Sequence, residues 1–214
     1  MKVSLFTILF GPEYAGLIGY VIWGLSLVML GLVIKYFIDI RRANILPVDV
    51  QQQVQERLEQ KEYRDVIDMT AEEPSYFSYL MHAALTEAAH GYPAMERAME
   101  EAAEERTAKM LRGIEWLNLI GNISPMLGLM GTVWGMIGAF FGIVEAGGTP
   151  EPAKLATSIG QALVTTLLGL AVAIPSLMVY GIMRNRIDSL TSEAMVSSQE
   201  LISTFRPGAG RKNA

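Results

Sequence analysis

Three long stretches without a charged residue constrain what this chain of 214 residues can fold into. The first, Ala15 to Ile34, spans about twenty residues, which is enough for a helix to cross a ~30 Å hydrocarbon core. The second, Trp116 to Val144, contains Pro125 and several glycines, which membrane helices tolerate. The third is Ile159 to Ile182. A soluble domain is similarly apolar but disperses those residues, so the clustering predicts an all-α polytopic membrane protein.

The first stretch is expected to remain in the protein as a transmembrane helix. It is long for the apolar region of a signal peptide, and Met1–Pro12 ahead of it is not notably basic. The predicted organisation begins with an extracytoplasmic N-terminal segment (1–13), a transmembrane helix (14–39) and a cytoplasmic helical domain (40–113). A second transmembrane helix (114–146), an extracytoplasmic turn (147–152) and a third transmembrane helix (153–184) follow. The chain ends in a cytoplasmic helix with a tail (185–214).

Basic residues beside the stretches predict the orientation, because they favour the cytoplasmic side. Two regions carry them close to the predicted membrane helices: Arg41, Arg42, Arg106, Lys109 and Arg112 in the first region, and Arg184 and Arg186 in the second. The connection from Glu145 to Ser158 carries only Lys154. We therefore expect the N-terminus outside and the C-terminus in the cytoplasm.

The polar region between the first two stretches is predicted to be helical. Ser75 follows Pro74 as a helix start, and Pro93 occupies the first turn of the next helix. From Ala94 onward strong helix formers follow without a breaker until Gly113, so this helix is expected to continue into the second stretch. Apolar residues at helical spacing from Ile187 to Phe205 likewise predict that the third membrane helix extends into the cytoplasm.

Glycines recur at fixed spacing in the second stretch. Four of them are spaced seven residues apart: Gly121, Gly128, Gly135 and Gly142. Two more, Gly131 and Gly138, each follow one of these four by three residues. Glycine at both seam positions of a heptad lets another helix backbone approach closely in lipid. The pattern therefore predicts a packing seam, although membrane helices are generally rich in glycine.

The third stretch has one face of small and polar residues, which includes Ser158, Gln161 and Thr165, with Thr166 at its edge. Clustered polar groups in a membrane helix usually line an interior or a water-filled path. Thr132 borders the glycine seam, and Thr132 and Thr166 are equally far in sequence from Thr149, at the centre of the predicted turn. At ~1.5 Å per residue, both hydroxyls are expected ~25 Å below that turn.

The sequence argues against enzymatic chemistry and against a metal site or cofactor. Cysteine is absent, the only histidines are His82 and His90, and no nucleophile and base are paired. Glu115 and Glu145 stand at the two ends of the second stretch, and no carboxylate lies deep within any of the three. If the protein handles protons, another chain must supply the titrating group.

Two segments resemble the signature helices of the ExbB/TolQ/MotA family, and of its three-span ExbB/TolQ branch in particular. They are Ser124–Phe141, with GLMGTVWGM, and Gly160–Ser176, with ALVTTLLGLAVAIP. The order of the three stretches and the large polar insertion after the first agree with this branch, whereas MotA proteins typically have four spans.

The resemblance implies a motor or channel subunit of the bacterial inner membrane that is driven by the proton-motive force and couples ion flow to energised envelope transport or envelope mechanics. It implies a homopentamer around the helices of an ExbD/TolR-like dimer, whose single span supplies an aspartate, and a TonB- or TolA-like energy transducer downstream. By position, Thr132 and Thr166 are the paired threonines that face the partner. The chain departs from ExbB and TolQ at Gln161, where those proteins have glutamate.

Two alternatives stay open from the sequence. A sodium-driven member of the same family would have the same architecture, and Gln161 weakens the choice of the proton. A non-conducting membrane scaffold would also have three spans, although it would not require a polar face at matched depth.

Overall fold

The computed structural model describes residues 16–145, 147 and 152–206. Within them the chain forms seven α-helices and no strand. They are α1 Gly16–Asp39, α2 Arg42–Ile45, α3 Val48–Glu59, α4 Tyr63–Glu72, α5 Tyr76–Thr86, α6 Tyr92–Glu145 and α7 Pro152–Ile202, with 3-10 turns at Ala88–His90 and Ser203–Phe205. The predicted N-terminal segment, most of the predicted turn and the predicted tail lie outside the described residues.

Three of these helices are long and apolar enough to cross a membrane, and they are α1, α6 and α7. The prediction of an all-α polytopic membrane protein is thereby confirmed. The predicted extension of the second and third membrane helices is confirmed as well, because α6 has 54 residues and α7 has 51. Both helices continue through an internal proline, at Pro125 and Pro175.

Local sequence explains where several helices begin and end. Ser75 caps α5 as predicted, because its side chain accepts a hydrogen bond from the Ser78 N–H at 3.1 Å. Pro93 lies in the first turn of α6, directly after Gly91, whose φ of 89° suits glycine. Gly147, with φ 67°, donates to the Val144 carbonyl at 3.1 Å just beyond the end of α6.

The chain divides into two compact units. We call residues 1–35 and 115–181 the apolar unit, and residues 36–114 and 182–214 the charged unit. In the apolar unit, Ile22 of α1, Ile120 of α6, and Leu168 and Val172 of α7 form a buried cluster. In the charged unit, Phe77, Leu80 and Met81 of α5 are fully buried, and so are Met95 and Met99 of α6 and Met183 and Ile187 of α7.

Candidate functional site

The apolar unit brings the glycines of α6 against α7. A Cβ atom on Gly128 would lie 2.9 Å from the Cα of Thr166, and one on Gly135 would lie 2.8 Å from the Cβ of Ala162. A Cβ atom on Gly131 would collide with the Thr165 side chain, and one on Gly121 would collide with the Leu177 side chain. The residue numbers rise along α6 as they fall along α7, so the two segments are antiparallel. At Gly128 the nearest atoms belong to the backbone of α7, so glycine is required there, whereas at Gly121 they belong to the flexible side chain of Leu177.

The remaining two glycines of the predicted seam are different. A Cβ atom on Gly138 or Gly142 would meet no atom within 4 Å in the described part of the chain. Within one chain, the close contact therefore uses four of the six glycines. The predicted packing role of Gly138 and Gly142 stays a prediction.

Gly169 of α7 completes the contact from the opposite side. A Cβ atom there would lie 3.2 Å from the Cα of Gly128 and close to the Ser124 carbonyl. Two glycines thus oppose each other at one level of the helix pair, and Ser124 beside them is fully buried, with its hydroxyl donating to the Ile120 carbonyl at 2.7 Å. At this level the backbones of the two helices approach each other directly.

Two threonine hydroxyls converge on one carbonyl at this level. Thr166 donates to the Gly128 carbonyl at 3.0 Å, and Thr165 approaches the same oxygen at 3.4 Å while donating to Ala162 in its own helix at 2.7 Å. Thr165 is only 4% exposed, whereas Thr166 is half-buried. Thr165 is therefore enclosed by the helix contact, while Thr166 lies at its edge.

Thr132 lies one turn further along α6 than Gly128. It is half-buried, and its hydroxyl donates to the Leu129 carbonyl of its own helix at 2.7 Å. Thr166 of α7 contacts Gly128, and Thr132 follows Gly128 by one turn of α6. Thr132 and Thr166 therefore lie about one helical turn apart on the two facing helices. A threonine hydroxyl bonded to its own helix keeps its acceptor lone pairs for water or a partner group.

Gln161 and Ser158 lie toward the other end of the α6–α7 contact. Gln161 lines a cavity of about 380 Å³ between the three helices, together with Leu17, Ile18, Met130, Gly131, Trp134, Gly135, Ala162 and Thr165. Ser158 is half-buried, and its carbonyl would lie 3.3 Å from a Cβ atom on Gly135. The cavity is mostly apolar, and its polar side-chain groups are the amide of Gln161, the hydroxyl of Thr165 and the indole N–H of Trp134.

A group of polar residues that the sequence analysis did not single out lies on an exposed face of α6. Asn118 donates to one carboxylate oxygen of Glu115 at 2.5 Å, and Tyr180 of α7 donates to the other at 3.2 Å. Asn122 donates to the carbonyl and the side-chain oxygen of Asn118, both at 2.8 Å. In the sequence, the spacing of these residues by three and four along an otherwise apolar helix indicates that they share one face.

Among the described residues, no group of three His, Asp or Glu side chains could hold a metal ion. The polar side chains gathered around Gly128 are those of Ser124, Thr165 and Thr166, which carry hydroxyls.

The fold and this helix contact define a polytopic all-α membrane protein with a glycine-lined pair of membrane helices. The MotA/TolQ/ExbB proton channel family matches residues 50–195, and the chain belongs to that family. The prediction from the signature helices is thereby confirmed.

Curated relatives match shorter parts of the chain. It is 44% identical over 80 residues to the biopolymer transport protein ExbB of Salmonella typhimurium, which is 37% of this chain and 32% of the relative. It is 41% identical over 88 residues to the putative biopolymer transport protein ExbB-like 1 of Synechocystis, covering 40% and 35%. It is 30% identical over 115 residues to ExbB of Xanthomonas campestris, covering 54% and 45%. The matched part therefore spans less than half of each relative.

Proposed function

We propose that this protein is an ion-conducting subunit of an energy-coupling complex in the bacterial inner membrane, with the N-terminus outside and the C-terminus in the cytoplasm. The observation that carries the proposal is the convergence of Thr165 and Thr166 on the Gly128 carbonyl, with Thr132 one turn away. Its family membership and the names of its relatives, which refer to biopolymer transport, support this assignment.

The chain cannot move protons through its membrane helices alone. No acidic residue lies between Trp116 and Val144 or between Ile159 and Ile182. Hydroxyls and amides form hydrogen bonds but do not titrate near neutral pH. We therefore propose that five copies surround an ExbD/TolR-like dimer whose single helix supplies an aspartate at the level of Thr132 and Thr166. A TonB- or TolA-like transducer would then use the free energy that the ion flow releases.

The exposed surface of the apolar unit supports an assembly of several chains. Trp134 is 74% exposed and Phe140 is 68% exposed. Gly138 and Gly142 offer close approach without meeting an atom of their own chain. Aromatic and glycine surfaces of this kind suit contact with lipid and with other helices.

The test is ion flux through the complex reconstituted with an ExbD/TolR-like partner. Thr132→Val and Thr166→Val should each lower ion-driven flux several-fold without changing the mass of the complex. Thr157→Val is the matched control, because Thr157 is exposed on α7 and bonds only to Ala153 of its own helix at 2.8 Å. Full flux in both single variants and in their double variant would assign these threonines to packing.

The same preparation separates the alternatives. A scaffold would give no flux with the wild-type chain and its partner under either a proton or a sodium gradient. Flux that follows the sodium gradient and ignores the proton gradient would make the protein a sodium-driven member of the family. We expect flux driven by protons.

Gln161 tests the other end of the proposed path. Because it lines a cavity and is only half-buried, Gln161→Glu should assemble and remain active. Loss of the complex in Gln161→Glu, with Gln161→Leu tolerated, would instead make this position a dry packing site.

Orientation has an independent test, since the chain contains no cysteine. Thr149→Cys should react with an impermeant reagent from outside the cell. Val196→Cys, at a position 64% exposed, should react only after permeabilisation. The reverse pattern would contradict the proposed orientation.

A further inference from the structure

The polar residues Glu115, Asn118 and Asn122 form a hydrogen-bonded row along α6, which we call the polar ladder. At about 100° per residue the three positions lie within roughly 60° of one another, so they share one face. That face is roughly 100° around the helix from Gly121 and Gly128, which contact α7. Thr132 lies between the two faces.

The ladder lies in an apolar setting. Leu119 and Ile123 flank it at 46% and 38% exposure, and Asn122 is also exposed. Asn122 is ~10 Å further into the predicted span than Glu115, given the rise of a helix. Amide and carboxylate groups that face hydrocarbon are disfavoured. Water, lipid headgroups or another chain therefore covers this face in the membrane.

The chemistry of Glu115 favours water as that cover. Its two oxygens accept from neutral groups, the amide of Asn118 and the phenol of Tyr180. Enclosing a carboxylate in a dry contact with only neutral partners is costly, whereas a hydrated surface accommodates it readily. A dry interface with a second copy is the competing cover.

We infer that the polar ladder lines the water-filled cytoplasmic half of the ion path, with Glu115 at its mouth; this rests on the proposed function. A carboxylate at the mouth raises the local concentration of cations. Between the ladder and Thr132 the same side of α6 carries Met126 and Leu129, both exposed and apolar. Ions would leave the level of Thr132 across this short apolar section and enter water at Asn122.

Cysteine labelling tests the ladder without requiring transport. The chain has no native cysteine, so Asn118→Cys and Asn122→Cys can be compared with Leu119→Cys and Ile123→Cys in the same turns. The probe is a small, positively charged, impermeant methanethiosulfonate applied to the cytoplasmic side of the intact complex. Because thiolates form in water, we expect the two ladder positions to react about tenfold faster than their neighbours.

Two results would overturn the inference. Equal or slower reaction at the ladder positions in an assembled complex would mean that water does not reach them. Loss of the complex in both Asn variants, with the Leu119 and Ile123 variants intact, would make the ladder an interface between subunits. Native mass spectrometry of all four variants distinguishes these cases.

Glu115→Gln tests the mouth itself. It keeps the size of the side chain and removes the charge, so ion flux should fall several-fold while the mass of the complex stays unchanged. Unchanged flux would remove Glu115 from the path. If the wild-type complex conducts no ion, the proposed function is wrong, while the difference in labelling rates can still be observed. If the complex conducts ions but the labelling rates do not differ, only the inference about the polar ladder is wrong.

Discussion

The apolar unit and the charged unit expose opposite kinds of residue. In the charged unit Phe77, Leu80 and Met81 are fully buried, and the surface carries most of the acids. In the apolar unit the contact between α6 and α7 is made by glycines and hydroxyls, while Trp134 and Phe140 point outward. Water drives the first arrangement, whereas close packing and interhelical hydrogen bonds sustain the second in lipid. One chain thus follows two sets of packing rules.

The largest expected effect breaks the packing rule of the apolar unit. Gly128→Leu would place a side chain where even a Cβ lies 2.9 Å from the backbone of Thr166, and backbone cannot move aside as a flexible side chain can. We expect the three-helix contact and the complex to be lost, as measured by mass and helicity in detergent.

The matched control is Gly138→Leu, at a position where a Cβ meets no atom of the described chain. Its monomer should stay folded. A changed oligomer in this control would identify Gly138 as part of a contact between copies. A stable, normally assembled Gly128→Leu would contradict the comparison.

Truncation of a phenylalanine should have unequal effects in the two units. Phe77→Ala removes a fully buried ring and should lower the free energy of unfolding of the charged unit by about 3–5 kcal/mol. Phe140→Ala removes a ring that is 68% exposed and should change the stability of the isolated chain very little. Urea unfolding in detergent measures both. A large loss in Phe140→Ala, present only in the assembled complex, would show that a neighbouring chain covers that ring.

The sequence was sufficient for the class, for the long helices and for a glycine seam on α6, because charge-free length and heptad spacing are local properties. It could not separate Gly128 from Gly138, since one copy of the pattern does not say which glycines meet their own chain. Helical spacing does separate Thr165 from Thr166: it places Thr165 on the polar face and Thr166 at the edge of that face, and Thr165 is the more deeply buried of the two. The polar ladder was missed because Glu115 was considered alone, at the end of a span, without its spacing to Asn118 and Asn122.

A smaller effect concerns hydroxyls that join helices. Ser176 is fully buried and donates to the Leu117 carbonyl across the α6–α7 contact at 2.7 Å. Ser176→Ala should lower stability by about 1 kcal/mol, the usual size of such bonds in membranes. The control in the charged unit is Thr191→Val, because Thr191 bonds only within α7, to Ile187 at 2.9 Å and to Asp188 at 3.4 Å. Thermal unfolding in detergent should show a clear decrease for Ser176→Ala alone; equal decreases would mean that the interhelical bond adds nothing special.

The smallest effect appears only at alkaline pH and only in the charged unit. Burial raises the pKa of Tyr76 above 10.0, although its hydrogen bond with Thr107, at 2.9 Å, opposes part of the rise. The phenol is neutral when protonated, so its contribution to stability is fully present below the unfolded pKa of 10.0 and is lost as the pH rises through the folded pKa. The wild-type chain should therefore lose stability above pH 10 more steeply than Tyr76→Phe.

Tyr79→Phe is the exposed control: the pKa of Tyr79 is also raised, chiefly by its hydrogen bond to Glu105, but water screens that bond. Unfolding curves measured between neutral pH and the alkaline limit would contradict the argument if Tyr76→Phe and the wild-type chain declined in parallel.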